Sequence, residues 1–243
     1  RMDVIVPFAV DDPKSRLAPV LSPDERREFA RAMLADVLDA IVTAGGSPHV
    51  LATAPFDPTA DLPGSLDPPV VVDDRPLTDA VNAVLERHGH AAVNPPTEPH
   101  TAGDSASGSR GGVAVVMADL ALATPDALTR LFDPDRDGNR SEESSADVTI
   151  APGRGGGTNA LVVRQPAFRV DYHGASYLDH RRAAERLDAT VHTVDSYRLA
   201  VDIDEPTDLA EALLHGSGAA SVWLREAGFT LETDDGRVTA TRA

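Results

Sequence analysis

Short apolar runs alternate with helical stretches along the chain, and the first such unit lies at the start. Asp3–Phe8 is apolar and rich in β-branched residues, which is typical of a buried strand, and 9–20 has the Pro and Asp content of a loop. Ser22 then offers a hydroxyl N-cap before Pro23, and Glu25 completes a capping box. Apolar residues at three-to-four spacing predict the helix that follows: Phe29, Ala30, Met33, Leu34, Val37, Leu38 and Ile41.

The same rhythm continues to the end of the chain. Strands are predicted at 49–53, 70–73, 113–117, 148–151, 160–164 and 196–203. Helices are predicted at 76–87, with Gly89 as the stop, at 125–132, within 168–185 and at 207–214. Strands that alternate with helices predict an α/β fold in which helices pack on the faces of a sheet.

Two polar stretches interrupt the pattern. The first, near 94–112, is rich in Pro, Gly, Ser and Thr and predicts a mobile surface insertion, and the second, 133–147, predicts a solvated acidic loop. We therefore assign 1–216 to one domain. Residues 217–243 form an extension, with a helix at 219–227 and a hairpin turning at Asp235-Gly236. Two roles for this extension stay open, covering a sheet edge or contributing to a homodimer contact.

Charge narrows the range of partners. The formal net charge is −17, from 39 acidic and 22 basic residues, so the surface repels nucleic acids and anionic membranes. Because the acids are spread along the whole chain, adaptation to a high-salt cytoplasm explains them better than one metal site, which predicts a halophilic source. No apolar run is long enough to cross a bilayer, and cysteine is absent, which excludes disulfides and thiolate metal sites. We expect a soluble cytoplasmic protein.

Charged side chains cluster where predicted strands end. Lys14, the only lysine, and Arg16 follow the first strand, at the sheet edge where open α/β folds bind ligands. Asp119 follows the most apolar strand, although a turn or capping role is an equal alternative. Asp202 and Asp204 stand at alternate positions of the extended chain where the last predicted strand ends, and so point the same way, as paired ligands of a hard cation such as Mg²⁺ would. The alternative for Asp204 is a cap on the next helix.

A glycine cluster at 152–159 adds an anion-binding candidate. It lacks the lysine of a P-loop, and the strand predicted after it excludes a dinucleotide-binding fingerprint. Its backbone N–H groups can still approach an anion closely, with the Thr158 hydroxyl beside them. Ser176 is placed to cap the next helix, whose N-terminus also suits phosphate or carboxylate. One lysine, three aspartates and such a loop suit nucleotidyl transfer, whose barrier is chiefly electrostatic and positional.

One stretch carries a family resemblance. The run PKSRLAPVLSPDERREFARAMLADVL, at 13–38, resembles the N-terminus of the 2-phospho-L-lactate guanylyltransferase family (CofC) of coenzyme F-420 biosynthesis, and the likeness extends in pieces to about Gly216. The resemblance implies a three-layer α/β/α nucleotidyltransferase fold with a mostly parallel mixed sheet. It also implies the substrates GTP and 2-phospho-L-lactate, the products lactyl-2-diphospho-5′-guanosine and pyrophosphate, and Mg²⁺ as cofactor.

The resemblance also implies roles for particular residues. The catalytic set is Lys14, Arg16 and Asp119, and the metal set is Asp119, Asp202 and Asp204. The nucleotide-binding set is Pro7, Ala9, Lys14, Leu77 and Thr78, and the acceptor-binding set is Thr158, Gly174 and Ser176. Two alternatives stay open. The first is the same chemistry on phosphoenolpyruvate, 3-phosphoglycerate or a molybdopterin or sugar-phosphate acceptor, and the second is a nucleotide-binding regulatory domain without catalysis.

Overall fold

A computed structural model describes residues 1–93, 111–134, 146–234 and 236–242. Nearly all of the polar insertions predicted near 94–112 and 133–147 therefore lie outside the described residues. The strands are β1 (Asp3–Phe8), β2 (Ser47–Ala52), β3 (Val70–Val72), β4 (Val113–Val116), β5 (Val148–Pro152), β6 (Thr158–Val163), β7 (Val191–Thr193), β8 (Phe229–Asp234) and β9 (Arg237–Arg242).

The helices lie between these strands and after them. They are α1 (Pro23–Thr43), α2 (Pro58–Asp61), α3 (Leu77–Val93), α4 (Pro125–Phe132), α5 (Ser176–Glu185), α6 (Tyr197–Ala200), α7 (Leu209–His215) and α8 (Ala219–Glu226). The capping box predicted for α1 is present, with Ser22 and Glu25 each accepting the other's backbone N–H. Within the described ranges, no helix has the length and apolar content that crossing a membrane requires.

Seven of the strands form one sheet in the order β3-β2-β1-β4-β6-β5-β7. Strands β3, β2, β1 and β4 run parallel to one another, β6 is antiparallel to both β4 and β5, and β7 is parallel to β5. The sheet is therefore mixed and mostly parallel, as the resemblance implies. Side chains of α1 and α4 pack with one face, and side chains of α3 and α5 pack with the other. The fold is a three-layer α/β/α sandwich.

The central position of β1 determines where the site forms. Strand β1 pairs in parallel with β2 on one side and β4 on the other. The loops that follow β1 and β4 consequently emerge side by side at one edge of the sheet, which brings Lys14 to Asp119.

The C-terminal helix and hairpin are present and pack on helices. Trp223 of α8 contacts Phe29 of α1, with ring centroids 5.3 Å apart. The Asp36 carboxylate of α1 accepts the first backbone N–H groups of α8, from Ala219 and Ala220, at 2.5 and 2.9 Å. Strands β8 and β9 pair with each other in a separate sheet and lie against α7. The hairpin therefore does not extend the large sheet.

Three local predictions are wrong. The strand predicted at 196–203 is instead the short helix α6 followed by an extended segment without sheet pairing, and the outer strand is β7, which the sequence pattern did not reveal. Helix α3 continues past Gly89 to Val93, so a single glycine does not end it. Ser176 is the first residue of α5 and not its cap, because its hydroxyl accepts a backbone N–H from β6.

Candidate active site

The loop after β1 holds Lys14 in an uncommon backbone conformation. Its φ is 55° and its ψ 45°, in the left-handed region that non-glycine residues seldom adopt. The buried Arg26 side chain of α1 supports this loop, because its guanidinium donates to the Pro13 carbonyl at 3.2 Å and pairs with Asp12 at 2.9 Å. Helix α1 thus helps to position Lys14 through the contacts of Arg26 with the loop.

Lys14 joins the carboxylates that the sequence analysis singled out. Its Nζ lies 2.5 Å from Asp119 Oδ2 and 3.2 Å from Asp204 Oδ1. Only 11% of the lysine side chain is exposed, so burial alone lowers its pKa, but the charges and hydrogen bonds of the two aspartates outweigh burial and raise the pKa. Arg16, which is 66% exposed, pairs with the other oxygen of Asp204 at 2.5 Å. The lysine is therefore charged and held between two carboxylates.

Asp202 lies in the same region, and a side chain of β6 holds its carboxylate. Its Oδ1 accepts a hydrogen bond of 3.3 Å from Asn159 of β6. Burial raises the pKa of Asp202, and the negative charge of Asp119 raises it further. The Ile203 N–H also donates to the Asp119 carbonyl at 3.1 Å. Burial alternates along Val201–Asp204 as in a strand, so Asp202 and Asp204 both lie on the less buried side of this extended segment although it belongs to no sheet.

The carboxylate oxygens around Lys14 show whether these residues suit a divalent metal ion. Asp119 Oδ1 is buried without a hydrogen-bond partner among the described residues, so this oxygen is chemically suited to ligate a hard cation. No group of three His, Cys, Asp or Glu side chains in the described part of the chain is arranged to hold a metal ion. The Lys14 ammonium lies between Asp119 and Asp204. The oxygen donors fit a hard cation, and binding one requires Lys14 to move.

A cavity of about 300 Å³ opens beside the Lys14 cluster. Lys14, Asp119 and Asp204 line one end, and its walls are mainly apolar. The residues implied in nucleotide binding that line it are Pro7, Ala9, Lys14 and Leu77. Thr78 is not among the lining residues, and its hydroxyl accepts the backbone N–H of Tyr172 at 3.0 Å.

Asp73 and Arg75 also line this cavity, and the sequence analysis missed them. The guanidinium of Arg75 donates one hydrogen bond to each carboxylate oxygen of Asp73, at 2.9 and 2.6 Å. These bonds lower the pKa of Asp73 to about 2. Asp73 follows β3 directly, so it carries the signal that identified Asp119, a carboxylate at the end of an apolar strand. Applying that signal to every strand would have found it.

The acceptor-binding candidates surround the glycine loop between β5 and β6. Ser176 Oγ accepts the Thr158 backbone N–H at 2.9 Å, and both residues are 4% exposed. Gly174 takes a φ of 57°, which glycine adopts without strain, and leads into α5. Asn159, next to Thr158, donates to Asp202, so the loop adjoins the carboxylates. The structure thus brings Thr158, Gly174 and Ser176 together at one helix N-terminus.

His180 is a further residue that sequence reasoning missed. Its Nδ1 lies 2.8 Å from the Thr158 hydroxyl, and its Nε2 accepts the Asp171 backbone N–H at 2.9 Å. The ring is fully buried, which lowers the pKa of His180 to about 4 despite the nearby charges of Asp171 and Asp179. A single histidine in an Ala- and Arg-rich helix carries no motif, so only the fold reveals these contacts.

The fold is that of a nucleotidyltransferase-like α/β protein. A similar solved structure is a protein described as a nucleotide-diphospho-sugar transferase from Desulfovibrio desulfuricans G20, with a TM-score of 0.64 and 15% identity, covering 93% of this chain and 94% of that one. The bifunctional IspDF from Campylobacter jejuni has a TM-score of 0.51 and 10% identity over 96% of this chain and 56% of that one. At these identities the likeness shows the fold alone.

Sequence comparison gives the family. The model described as Guanylyl transferase CofC like matches residues 2–93 and 104–242, and the chain belongs to this family. It is 55% identical to the 2-phospho-L-lactate guanylyltransferase of Halorubrum lacusprofundi, over 98% of each chain. It is 56% identical to the protein of that name from Haloterrigena turkmenica, over 99% of this chain and 97% of the relative. These relatives come from halophilic archaea, in agreement with the acidic composition.

Proposed function

We propose that this protein transfers GMP from GTP to 2-phospho-L-lactate, in a step of coenzyme F-420 biosynthesis. The products are lactyl-2-diphospho-5′-guanosine and pyrophosphate. The observation that carries the proposal is the meeting of Lys14 with Asp119 and Asp204 at the edge of a cavity, in a chain of the guanylyl transferase family. That arrangement places cationic and cation-binding groups where two anionic substrates must approach each other.

The reaction needs one displacement at phosphorus. A phosphate oxygen of 2-phospho-L-lactate attacks the α-phosphorus of GTP, the bond from that phosphorus to the bridging oxygen breaks, and pyrophosphate leaves with the electron pair. A phosphate monoester already carries negative charge at neutral pH, so no side chain has to remove a proton. Lys14 serves as a point charge on the triphosphate, and the exposed Arg16 assists it. The catalytic contribution of both residues is electrostatic and positional.

Nucleotidyltransferases generally use a divalent metal, and we infer that this one uses Mg²⁺. Asp119, Asp202 and Asp204 would hold it after Lys14 moves and the three carboxylates turn toward one ion, since Mg²⁺ prefers carboxylate oxygens and Asp119 Oδ1 has no other partner among the described residues. When bound, the ion supplies charge neutralisation at the phosphates. A cation on these carboxylates would neutralise part of their negative charge, which would weaken their hold on Lys14 and leave its ammonium available to the triphosphate.

The lining of the cavity supports the proposal that the base is guanine. The apolar side chains of Pro7, Ala9 and Leu77 can pack against a purine ring. Asp73 is ionised at neutral pH and presents acceptors only, which suits the N1–H and N2–H₂ donors of guanine. Adenine presents an acceptor at N1, so the same carboxylate disfavours it. Thr78 has an indirect role, because its hydroxyl holds the Tyr172 backbone beside the acceptor loop.

We assign the acceptor to the glycine loop and the start of α5. Thr158 and Ser176 contribute hydroxyl groups, and Gly174 adopts the positive φ through which the chain turns into α5. Backbone N–H groups at a helix N-terminus attract phosphate and carboxylate, both of which 2-phospho-L-lactate carries. The absence of nucleic acid binding, the cytoplasmic location and the homodimer stay predictions from the sequence.

A pyrophosphate-release assay in molar salt with Mg²⁺ tests the proposal. GTP and ATP are each crossed with 2-phospho-L-lactate, phosphoenolpyruvate and 3-phosphoglycerate, and reactions without acceptor give the background. We expect the fastest release with GTP and 2-phospho-L-lactate. A faster reaction with another acceptor would keep the mechanism but change the substrate, and no release with any pair would favour a nucleotide-binding regulatory domain.

A further inference from the structure

A continuous line of hydrogen bonds runs beneath the acceptor loop and ends at the Thr158 hydroxyl. It begins at the Asp171 backbone N–H, 2.9 Å from His180 Nε2, and crosses the imidazole ring. It continues from His180 Nδ1 to Thr158 Oγ1 over 2.8 Å. His180 and Thr158 are both buried, so the line is shielded from solvent.

The direction of this line follows from its first donor. A backbone N–H can only donate, so His180 Nε2 must accept and carry no proton. A neutral imidazole then has its proton on Nδ1, which donates to Thr158 Oγ1. The ring stays neutral near neutral pH, because burial lowers its pKa to about 4. The Thr158 hydroxyl therefore receives a hydrogen bond from inside the protein, and its own proton is left to donate.

Ser176 is arranged in the same way. Its Oγ accepts the Thr158 backbone N–H at 2.9 Å, so this hydroxyl oxygen also receives an internal donor. Neither hydroxyl has a partner for its own proton among the residues that the structure describes. Two O–H donors thus stand next to each other at the N-terminus of α5, and an anion would satisfy both.

We propose that His180 is a positioning residue of the acceptor subsite, which fixes the Thr158 hydroxyl as a hydrogen-bond donor to the bound anion. The anion is the phosphate or the carboxylate of the acceptor, and in this respect the proposal rests on the proposed function. His180 does not touch the acceptor itself. Without His180, the Thr158 hydroxyl is free to rotate and to donate its hydrogen bond to another group of the protein. Binding of the acceptor then weakens.

A role in packing alone is the competing explanation, and it makes different predictions. The His180 ring contacts Phe168 and Tyr172, with centroids 6.0 and 5.2 Å away. If these contacts were the whole of its role, His180→Phe would preserve function and the position of the ring proton would be irrelevant. The tests therefore concern the proton and its dependence on Thr158.

The first test is a ¹⁵N-correlated NMR spectrum of the histidine rings in the full chain without substrates, with His180→Asn identifying the signal. We expect His180 to be neutral with its proton on Nδ1. A proton on Nε2, or a protonated ring at pH 7, would overturn the proposal. Because this test involves no turnover, it gives an answer even if no acceptor reacts and the proposed function fails.

The second test compares His180→Phe, His180→Asn and the double variant His180→Phe/Thr158→Val. We expect His180→Phe to raise the KM for 2-phospho-L-lactate about tenfold, the loss of one hydrogen bond to a charged group, while the KM for GTP changes less than about twofold. His180→Asn, whose amide N–H can replace Nδ1–H, should recover most of the loss. His49→Phe, at a half-buried histidine on β2, is the matched control.

The double variant decides between positioning and packing. If His180 acts through Thr158, adding His180→Phe to Thr158→Val should change the KM for the acceptor less than about twofold. Additive effects would mean that His180 acts independently of Thr158, and would overturn the proposal. Melting temperatures of each variant show whether it folds, and His180→Asn preserves the test if the Phe variant does not.

Discussion

The two halves of the proposed site, one assigned to the nucleotide and the other to the acceptor, offer different groups to an anion. On the nucleotide side, Lys14 and Arg16 make ion pairs with Asp119 and Asp204, and the arginine is largely exposed. On the acceptor side, the groups are neutral hydroxyls and backbone amides, and Thr158, Ser176 and His180 are buried. One side depends on charge and the other on oriented dipoles.

This difference suits an acidic protein in concentrated salt. Salt screens exposed charges over a Debye length of only about 3 Å at 1 M, whereas buried groups are screened much less. A small acceptor with few contacts gains most from buried donors that salt does not weaken. A triphosphate carries enough charge to be held by a few close cations even when distant ones are screened.

The largest effect is expected on the charged side. Asp119→Asn keeps the shape of the side chain but removes a negative charge from the metal-binding candidates, so kcat should fall about 10²–10³-fold. Pyrophosphate release at saturating substrates measures it. Asp126→Asn, in the exposed first turn of α4, is the control and should be near normal. A normal rate for Asp119→Asn would remove this carboxylate from the site.

The buried His180 should make the free energy of unfolding depend on pH. Below pH 6.5 the unfolded chain protonates His180, but the folded chain does so only near pH 4, so stability falls as pH falls. From pH 7.5 to 5, the wild type should lose about 2 kcal/mol more unfolding free energy than His180→Asn. Urea denaturation at constant salt measures this. Parallel pH profiles would contradict the buried neutral histidine.

Thr158→Val should affect only the acceptor. The change removes a hydroxyl that donates to an anion, so the KM for 2-phospho-L-lactate should rise about ten- to thirtyfold, with the KM for GTP unchanged within about twofold. Steady-state kinetics with each substrate varied in turn measures both. Thr149→Val, at a buried threonine of neighbouring β5, is the matched control. An equal rise in both KM values would argue against separate subsites.

Arg16 should matter least. Its pair with Asp204 is exposed, and such pairs contribute at most about 1 kcal/mol, so Arg16→Gln should raise the KM for GTP less than about fivefold in molar salt. Repeating the measurement at lower salt, wherever the wild type stays folded, should enlarge the effect. The control is Arg27→Gln, which removes the pair with Asp24 on the surface of α1. A loss as large as that of Asp119→Asn would give Arg16 a direct role in catalysis.

The parts of the fold with local signals could be predicted from the sequence. Strand β1, the capping box at Ser22 and the apolar stripe of α1 are each contiguous, and together they place the Lys14 loop. Asp119 was found because it follows an apolar strand. The family resemblance implied the overall fold and the acceptor residues, but it did not reveal Asp73.

What failed depended on contacts between distant segments. The alternation at 196–203 looks like a strand, yet α6 forms there and the following extended residues pair with no strand of the sheet. Ser176 has the sequence position of an N-cap, but its hydroxyl oxygen accepts a hydrogen bond from the Thr158 backbone N–H instead. The role of His180 depends on the Asp171 backbone donor and on a strand 22 residues earlier, and no spacing rule connects these groups.

The most direct test of two separate subsites is a kinetic comparison of Lys14→Gln and Thr158→Val, with GTP and 2-phospho-L-lactate each varied at saturating levels of the other. The account predicts that Lys14→Gln raises the KM for GTP and leaves that for the acceptor nearly unchanged, and that Thr158→Val does the opposite. If each variant raised both KM values by the same factor, or if the pattern were reversed, the assignment of the charged side to nucleotide and the neutral side to acceptor would be wrong.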